Sequence, residues 1–457
     1  MSIKAKGKVF RDPVHGLIRI MPEDAFIYDL INTSAVQRLR SIRQLGVSRY
    51  TYPGAEHSRF VHSLGVYWMA SRIISVIEKR HVDDTKEELS KYRKAVLAAA
   101  LLHDIGHGPF SHAFERALKG SSDHEAQTIR LINDPDLDVY KVLIKHEIAP
   151  ATVASVINKT LPVRWLVDVV SSQLDADRME YLLRDSLCTG VKYGLYDCEW
   201  LINCMRLGSD PLVKDEGTEL PQKDKRRLCL DKKRGLYSVE QLILARKHMH
   251  DQVYFHETTR GWEAHLICLL NTAQTVSLEN NLPRQTPLIV KKFLSKNGKI
   301  THSEWINFTE VLMEYAFSIW GDTKKGAPIV LYLRDLAKAF LARKKLFKCC
   351  DLSHIYKSNK KLFLSLPFKL KEAGLTERQD YLIDEMSQSF YKHGASAKNT
   401  VSWANSILVS DEDSISSVAQ IAEDESPSLK ALTENGSIVR LYYHVSKENV
   451  VLATMKV

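Results

Sequence analysis

The sequence predicts a mainly α-helical protein with a smaller α+β region toward its C-terminal end. Three observations carry this reading. Over the first 275 residues or so, apolar side chains recur at intervals of three and four rather than two. Alternation there is confined to a short stretch near the start and to 207–237. Beyond about 275, helical runs are mixed with alternating β-branched and aromatic segments. The 457 residues are roughly three times the ~150 that serve as a soft prior for one domain, so one large domain or two to three fused ones would fit. With 44% hydrophobic and 26% charged residues, 20 Gly and 14 Pro, the chain is excluded from the disordered, collagenous and low-complexity classes.

Taken in order, Val9 to Ile20 contains the turn pairs Asp12-Pro13 and His15-Gly16 and ends in the alternating Leu17-Ile18-Arg19-Ile20, which predicts an edge strand. Apolar residues at 26, 27, 30, 31, 36, 39, 42 and 45 predict a helix over 26–45. After the Tyr52-Pro53-Gly54 turn an amphipathic helix is expected over 59–79, and the next, over 89–105, holds Ala95-Val96-Leu97-Ala98-Ala99-Ala100-Leu101-Leu102, apolar on nearly every face. Further helices are predicted at 124–133, 138–146, 150–158, 164–187 and 238–270, with 207–237 as a hairpin insertion. In the C-terminal region helices are expected at 302–320, 328–346 and 377–392, an acidic loop at 410–427, and a terminal hairpin from Ile438–Tyr443 and Val450–Ala453. The resulting division is a helical body over 1–275 and an α+β region over 276–457 that serves assembly and regulation.

No stretch reads as the ~20 apolar residues that span a bilayer, and the start carries no apolar signal core, so a cytoplasmic chain without membrane association is expected. Its seven cysteines form no CxxC pair and are expected to stay reduced. The formal charge of +9 favours polyanionic partners, nucleotide phosphates or nucleic acid. Histidine is the oddity: positions 57, 62, 81, 103, 107, 112 and 124 all fall in one short span.

Within that span, Leu101-Leu102-His103-Asp104-Ile105-Gly106-His107-Gly108-Pro109-Phe110-Ser111-His112 places a histidine and an aspartate together at the end of the most apolar helix. An apolar setting penalises an unpaired carboxylate by several kcal/mol. A divalent cation held by imidazole and carboxylate would compensate it; so would a helix C-cap with local hydrogen bonds. Glu56-His57-Ser58-Arg59-Phe60-Val61-His62 puts Arg59 three residues ahead of His62 at a helix start, suited to a phosphate beside a metal. Asp177, Tyr181 and Asp185 share a helix face at i, i+4 and i+8.

A His, then His-Asp 41 residues later, then Asp after a further 73 is the H…HD…D pattern of HD-domain phosphohydrolases. Five ordered blocks resemble one branch more closely: Lys8–Gly16, Gln37–Gly46, Pro53–Phe60, His103–His112 and Asp175–Asp185. They are similar to the HD-domain deoxynucleoside triphosphate triphosphohydrolases, especially bacterial members related to the SAM-and-HD-domain enzymes, and the resemblance covers about 8–265. No SAM domain is expected.

The resemblance implies a helical HD-domain core and hydrolysis of a dNTP to deoxynucleoside and inorganic triphosphate, controlling dNTP pools with a possible anti-phage role. It implies a divalent metal (Mn, Fe, Zn, Ni, Co or Mg) on His62, His103, Asp104 and Asp177. Acid/base work and phosphate contact would fall to His112 and His124, with Glu115 where relatives carry aspartate, and His107 nearby. Arg59 matches an α-phosphate contact, and Arg246, His250 and Tyr254 match distal-phosphate and stacking residues. Gln44, Leu45, Tyr181 and Asp185 match contacts to the deoxyribose, and Arg178 is a further cation of the triphosphate pocket. Lys8, Val9, Gln37 and Arg40 match parts of a dNTP or NTP activator site between subunits of a homo-oligomer, a dimer of dimers. Asn32 stands where guanine-reading members have aspartate, and an amide offers one acceptor where a carboxylate offers two. Two other readings stay open: an HD phosphodiesterase or nucleotidase acting on another nucleotide, and a basic single-strand nucleic-acid binder.

Overall fold

The computed structural model of the protein describes residues 7–117, 123–209, 226–296, 298–387, 406–411, 415–424, 426, 429–430, 432 and 436–455. Helices dominate, and one hydrophobic core runs from Ile18 to Tyr442. Its centre is the pair of long helices Arg59–Arg80 and Val82–Leu102, with Ala176–Thr189 against the first. Every residue from Ala95 to Leu102 is buried, as the apolar run predicts. By length and composition alone Arg59–Arg80 could cross a membrane, contrary to the expectation that no stretch could. Two thirds of that window is buried inside the fold, and it carries His62 against Asp177, so it serves as a core helix. All seven cysteines are free.

Several expected helices are broken, each where a polar side chain competes for the backbone. The 26–45 helix divides into Ala25–Ile31 and Ser34–Arg38, because the Thr33 hydroxyl donates to the Leu30 carbonyl and its backbone turns extended. The 164–187 helix becomes Arg164–Val170 and Ala176–Thr189, with the Asp175 carboxylate accepting from the Arg178 amide to start the second. The 238–270 helix starts earlier, at Lys232, passes through a π turn at His250–Tyr254, and restarts at Glu257 with the His256 ring as cap. The 302–320 helix breaks at Thr309, which caps Glu310–Gly321.

The insertion over 207–237 contains the expected hairpin, Met205–Ser209 antiparallel to Arg226–Asp231, its connection 210–225 lying outside the described residues. The acidic 410–427 segment is not simply a loop. Leu408–Ser410 pairs in parallel with Arg226–Asp231 and antiparallel with Ile415–Ser417, making a four-stranded sheet, and helix Val418–Asp424 follows. The helix expected at 377–392 is corrected to a turn at 378–380 followed by strand Tyr381–Ser387, and 388–392 lie outside the described residues. The terminal hairpin is also corrected. Ser437–His444 is the central strand between Phe347–Asp351 and Tyr381–Ser387, and Glu448–Met455 is a helix rather than a returning strand. Its partners are far away in sequence, which local alternation cannot reveal.

Candidate active site

Helix Arg59–Arg80 presents Arg59 and His62 from its first turn, Val82–Leu102 ends at His103-Asp104, and Ala176–Thr189 presents Asp177 from its first turn. Gly106 follows because a Cβ there would lie 2.2 Å from the His124 carbonyl oxygen; this close approach lets Thr128 bond both the Gly106 amide and the His103 carbonyl.

The ligand atoms of His62, His103 and Asp177 lie within 4.8 Å of one another. His62 Nδ1 donates to Glu180 Oε2 at 2.6 Å and His103 Nδ1 to the Ala100 carbonyl at 2.9 Å, which leaves both Nε2 atoms as lone pairs. Both are buried with no hydrogen-bond partner among the described residues, and Asp177 Oδ1 sits 3.0 Å from the first and 3.7 Å from the second. A carboxylate oxygen facing two imidazole Nε2 atoms needs either a proton or a metal cation between them, and the donor set fits a divalent metal. Asp104 flanks the group: its Oδ1 is 3.3 Å from His103 Nε2 and from His107 Nε2, its Oδ2 bonds Arg59. Burial alone would raise the Asp104 carboxyl, but Arg59, His103 and His107 hold it well below the usual carboxylate range.

Burial opposes charge on His62 too, yet Asp177 and Glu180 override it and push the imidazole up to about 10. Metal must therefore displace a proton over most of the working pH range. In the metal-free protein, that pairing stabilises the fold fully below the ordinary histidine value of 6.5 and is lost as pH rises through about 10. We expect apparent Mn²⁺ affinity to increase about tenfold per pH unit between pH 7 and 9, with release of about one proton. Calorimetry in buffers of different ionisation enthalpy measures this directly; affinity independent of pH would contradict it.

A second group lies beside the first. Glu115 bridges His112 (3.3 Å) and His124 (3.0 Å), so glutamate in place of aspartate still reaches both. His107 stacks on His124 with centroids 3.9 Å apart and planes 13° from parallel. His107, His112, Glu115 and His124 are close enough to hold an ion, but stacked rings point their in-plane lone pairs parallel rather than toward one point, an arrangement better suited to moving a proton. Burial lowers the His124 pKa, but Glu115 outweighs it and raises the imidazole overall, whereas burial and Arg59 keep His107 neutral. His112 is at the exposed rim.

His103, Asp104, His107, His112, His124 and Asp177 line a cavity of about 440 Å³ that also includes Gln44, Leu45, Arg59, Arg178, Tyr181, Asp185, His250 and Tyr254, whereas His62 and Glu115 are not part of its lining. Asp177, Tyr181 and Asp185 thus face it together, as their spacing predicts. Asp185 accepts from Tyr254 Oη and His57 Nε2, each at 2.8 Å. Gln44 Oε1 is buried without a hydrogen-bond partner among the described residues, which leaves an acceptor for a ligand. Burial, with Arg246 and Arg178, pulls His250 down to about 3. Arg246 is not part of the lining: its guanidinium donates to Gln173 Oε1 at 2.8 Å, one turn before the π turn that brings His250 and Tyr254 to the cavity.

None of the expected activator residues touches this cavity. Lys8, Val9, Asn32 and Arg40 are exposed and Gln37 half-buried. Lys8 lies over the Tyr28 ring, Asn32 caps its helix through the Tyr28 carbonyl, and Arg40 donates to Gln37 while lying 3.6 Å over the Phe60 ring.

Three supporting residues were not legible as such. Glu180 orients His62, and His57 braces Asp185; burial opposes charge on His57, but Asp185 pushes its pKa up to about 9. The third, Glu310, comes from the C-terminal region and accepts from the Arg43 amide (2.8 Å), the Arg43 guanidinium (2.7 Å) and the Phe110 amide (3.2 Å). It supports a loop whose residues Phe110 and Ser111 both have positive φ, a backbone that costs roughly 1–3 kcal/mol per residue. Glu180 had a signal in its position three residues after Asp177; Glu310 had none.

Residues 59–177 match the HD domain. The uncharacterized protein YwfO of Bacillus subtilis is 37% identical over 395 residues, 85% of this chain and 82% of YwfO. A Dictyostelium discoideum protein named as a deoxynucleoside triphosphate triphosphohydrolase SAMHD1 homolog is 30% identical over 282 residues, 57% of this chain but 48% of that one. Among solved structures, a phosphohydrolase from Bacteroides thetaiotaomicron superposes with a TM-score of 0.72 at 25% identity, covering 96% of this chain and all of that one.

Proposed function

Because this chain belongs to the HD-domain family of metal-dependent phosphohydrolases, we propose that it hydrolyses deoxynucleoside triphosphates to deoxynucleoside and inorganic triphosphate. The observation that carries the reading is a cavity lined by His103 and Asp177, which cluster with His62, by a buried arginine and by a tyrosine–aspartate wall. The relatives named as triphosphohydrolases support the same substrate class.

A divalent metal held by His62, His103, Asp104 and Asp177 would supply Lewis-acid polarisation of a phosphoryl oxygen. Arg59, buried between Asp104 and Ser111, offers its guanidinium to the α-phosphate. The oxygen of water bonds to the α-phosphorus as the phosphorus bond to the 5′-oxygen breaks, and the proton that the water loses passes to solvent, from which His124 is later reprotonated. The departing 5′-oxygen takes a proton from His124, whose charged form Glu115 favours against burial. Arg178 and neutral His250, with Arg246 behind them, hold the distal phosphates. Gln44 Oε1 accepts the one proton of the 3′-hydroxyl, Asp185, held by His57 and Tyr254, lies against the same sugar, and Tyr181 packs where a ribose would carry its 2′-hydroxyl. The exposed surface around Lys8, Val9, Asn32, Gln37 and Arg40 serves as an activator site in a homo-oligomer, which dNTP-dependent mass in light scattering would reveal.

The test is to incubate purified protein with each dNTP and NTP, singly and mixed, with Mg²⁺, Mn²⁺ or Co²⁺, and separate the products. Inorganic triphosphate and deoxynucleoside are expected; a nucleoside monophosphate with pyrophosphate would sink the proposal. Tyr181→Ala should bring NTP turnover to within about tenfold of dNTP turnover, since a steric filter is worth about 1–3 kcal/mol.

A further inference from the structure

We propose that the N-terminal hairpin, strands Lys8–Asp12 and Gly16–Ile20, is thermodynamically coupled to the metal centre through Glu180, so that its docking sets how tightly His62 holds a metal. The inference rests on the metal-binding reading of the site and not on the identity of the nucleotide.

Glu180 is fully buried and divides its carboxylate between the two places. Oε2 accepts from the metal-facing histidine, His62 Nδ1, at 2.6 Å. Oε1 accepts from Arg184 Nε at 2.6 Å and from His15 Nε2 at 3.3 Å. The Arg184 guanidinium also pairs with Asp12 Oδ2 at 3.0 Å. His15 and Asp12 both belong to the hairpin, 165 or more residues from their partners. Asp12 Oδ1 accepts from the amides of Val14 and His15, each at 2.9 Å, which curls the turn so that the His15 ring points inward. Room for the carboxylate depends on Gly65, where a Cβ would lie 2.1 Å from Glu180 Oε1.

Besides these polar links the hairpin is held by Phe10, Ile18 and Ile20 against the core and by Tyr67 Oη donating to the Arg19 carbonyl. Ile18 and Ile20 are buried, but Val9 is 48% and Leu17 38% exposed, and an isolated two-stranded hairpin is marginal in water. When it undocks, Arg184 keeps Glu180 as its sole carboxylate among these contacts and draws Oε1 toward itself, while His15 no longer holds the opposite side. The bond from His62 Nδ1 then weakens, and with it the basicity and orientation of Nε2. Outer partners of this kind are worth about 10–100-fold in metal affinity. By linkage, metal binding must stabilise the docked hairpin by the same factor. Glu180, Arg184, Asp12 and His15 are accordingly positioning residues; none lines the cavity.

The experiment pairs Mn²⁺ titration calorimetry at fixed pH with hydrogen–deuterium exchange of the full chain, with and without Mn²⁺. Asp12→Asn and His15→Gln are expected to weaken Mn²⁺ binding about tenfold and Glu180→Gln by about 10–100-fold, with unchanged helical circular dichroism. In the wild-type protein Mn²⁺ should slow exchange of amides 8–20 by a similar factor, and in Glu180→Gln it should not. Mn²⁺ affinities within twofold of wild type in Asp12→Asn and His15→Gln, or hairpin exchange unmoved by saturating Mn²⁺ in the wild type, overturn the coupling while leaving the metal site intact. Should the variants fail to fold, the wild-type exchange experiment decides alone. Wild-type protein that binds no Mn²⁺ overturns the metal reading and the coupling with it.

Discussion

Asp177→Ala is expected to lose bound metal and hydrolysis together while remaining folded. The Asp177 side chain is 31% exposed, so removing it opens no sealed core and strands no buried partner other than the two imidazoles it faces. What disappears is the carboxylate on which both unpartnered Nε2 atoms converge. Lewis-acid stabilisation of a phosphoryl transition state is worth several kcal/mol, so kcat/KM should fall by at least about 10³-fold. Metal content after dialysis and product formation report the two losses separately. A metal-loaded, active Asp177→Ala protein would overturn the ligand assignment.

Glu310→Ala should have the opposite profile, with the main cost in stability. Its carboxylate is buried and satisfies two amides and one guanidinium. Burial pushes its pKa up, with Arg43 pulling the other way, so the group is held by its partners rather than by solvent. Removing it leaves the Arg43 and Phe110 amides without their acceptor, while the Arg43 guanidinium keeps Glu56, at a cost of about 1–3 kcal/mol per orphaned amide. Chemical denaturation should show that loss. Because the Phe110-Ser111 turn then relaxes, catalytic rate should fall as well while Mn²⁺ affinity changes by less than about tenfold, since no metal-facing atom is touched. Stability within about 1 kcal/mol of wild type would show that Glu310 is not what holds the loop.

Comparison of these two residues shows why part of the site was readable. Asp177 announces itself through local order: a polar residue in the first turn of a helix, with Tyr181 and Asp185 at i+4 and i+8, projects to one face whatever else the chain does. Arg59 and His62 are likewise i, i+3 on one turn, and His103-Asp104 ends an apolar run whose burial the sequence already implies. The misread elements have the reverse property. Thr33, Asp175 and Thr309 break helices through side-chain to backbone bonds that compete with apolar periodicity, and the pattern alone does not say which wins. Residues 381–387, 408–410 and 415–417 become strands because strands brought close by the fold accept them as neighbours.

The sequence by itself therefore determined the chemistry of this protein: a mainly helical body, an imidazole–carboxylate group suited to a divalent metal, and cations and aromatics placed on the helix faces around it. Tertiary structure decided what holds that chemistry in place. Glu180 meets His62 across 118 residues, His57 meets Asp185 across 128, and Glu310 meets Arg43 across 267. Helical periodicity reports the face on which a side chain lies but not what the fold packs against that face. A buried carboxylate that orients a ligand is thus indistinguishable, in sequence, from one exposed to water.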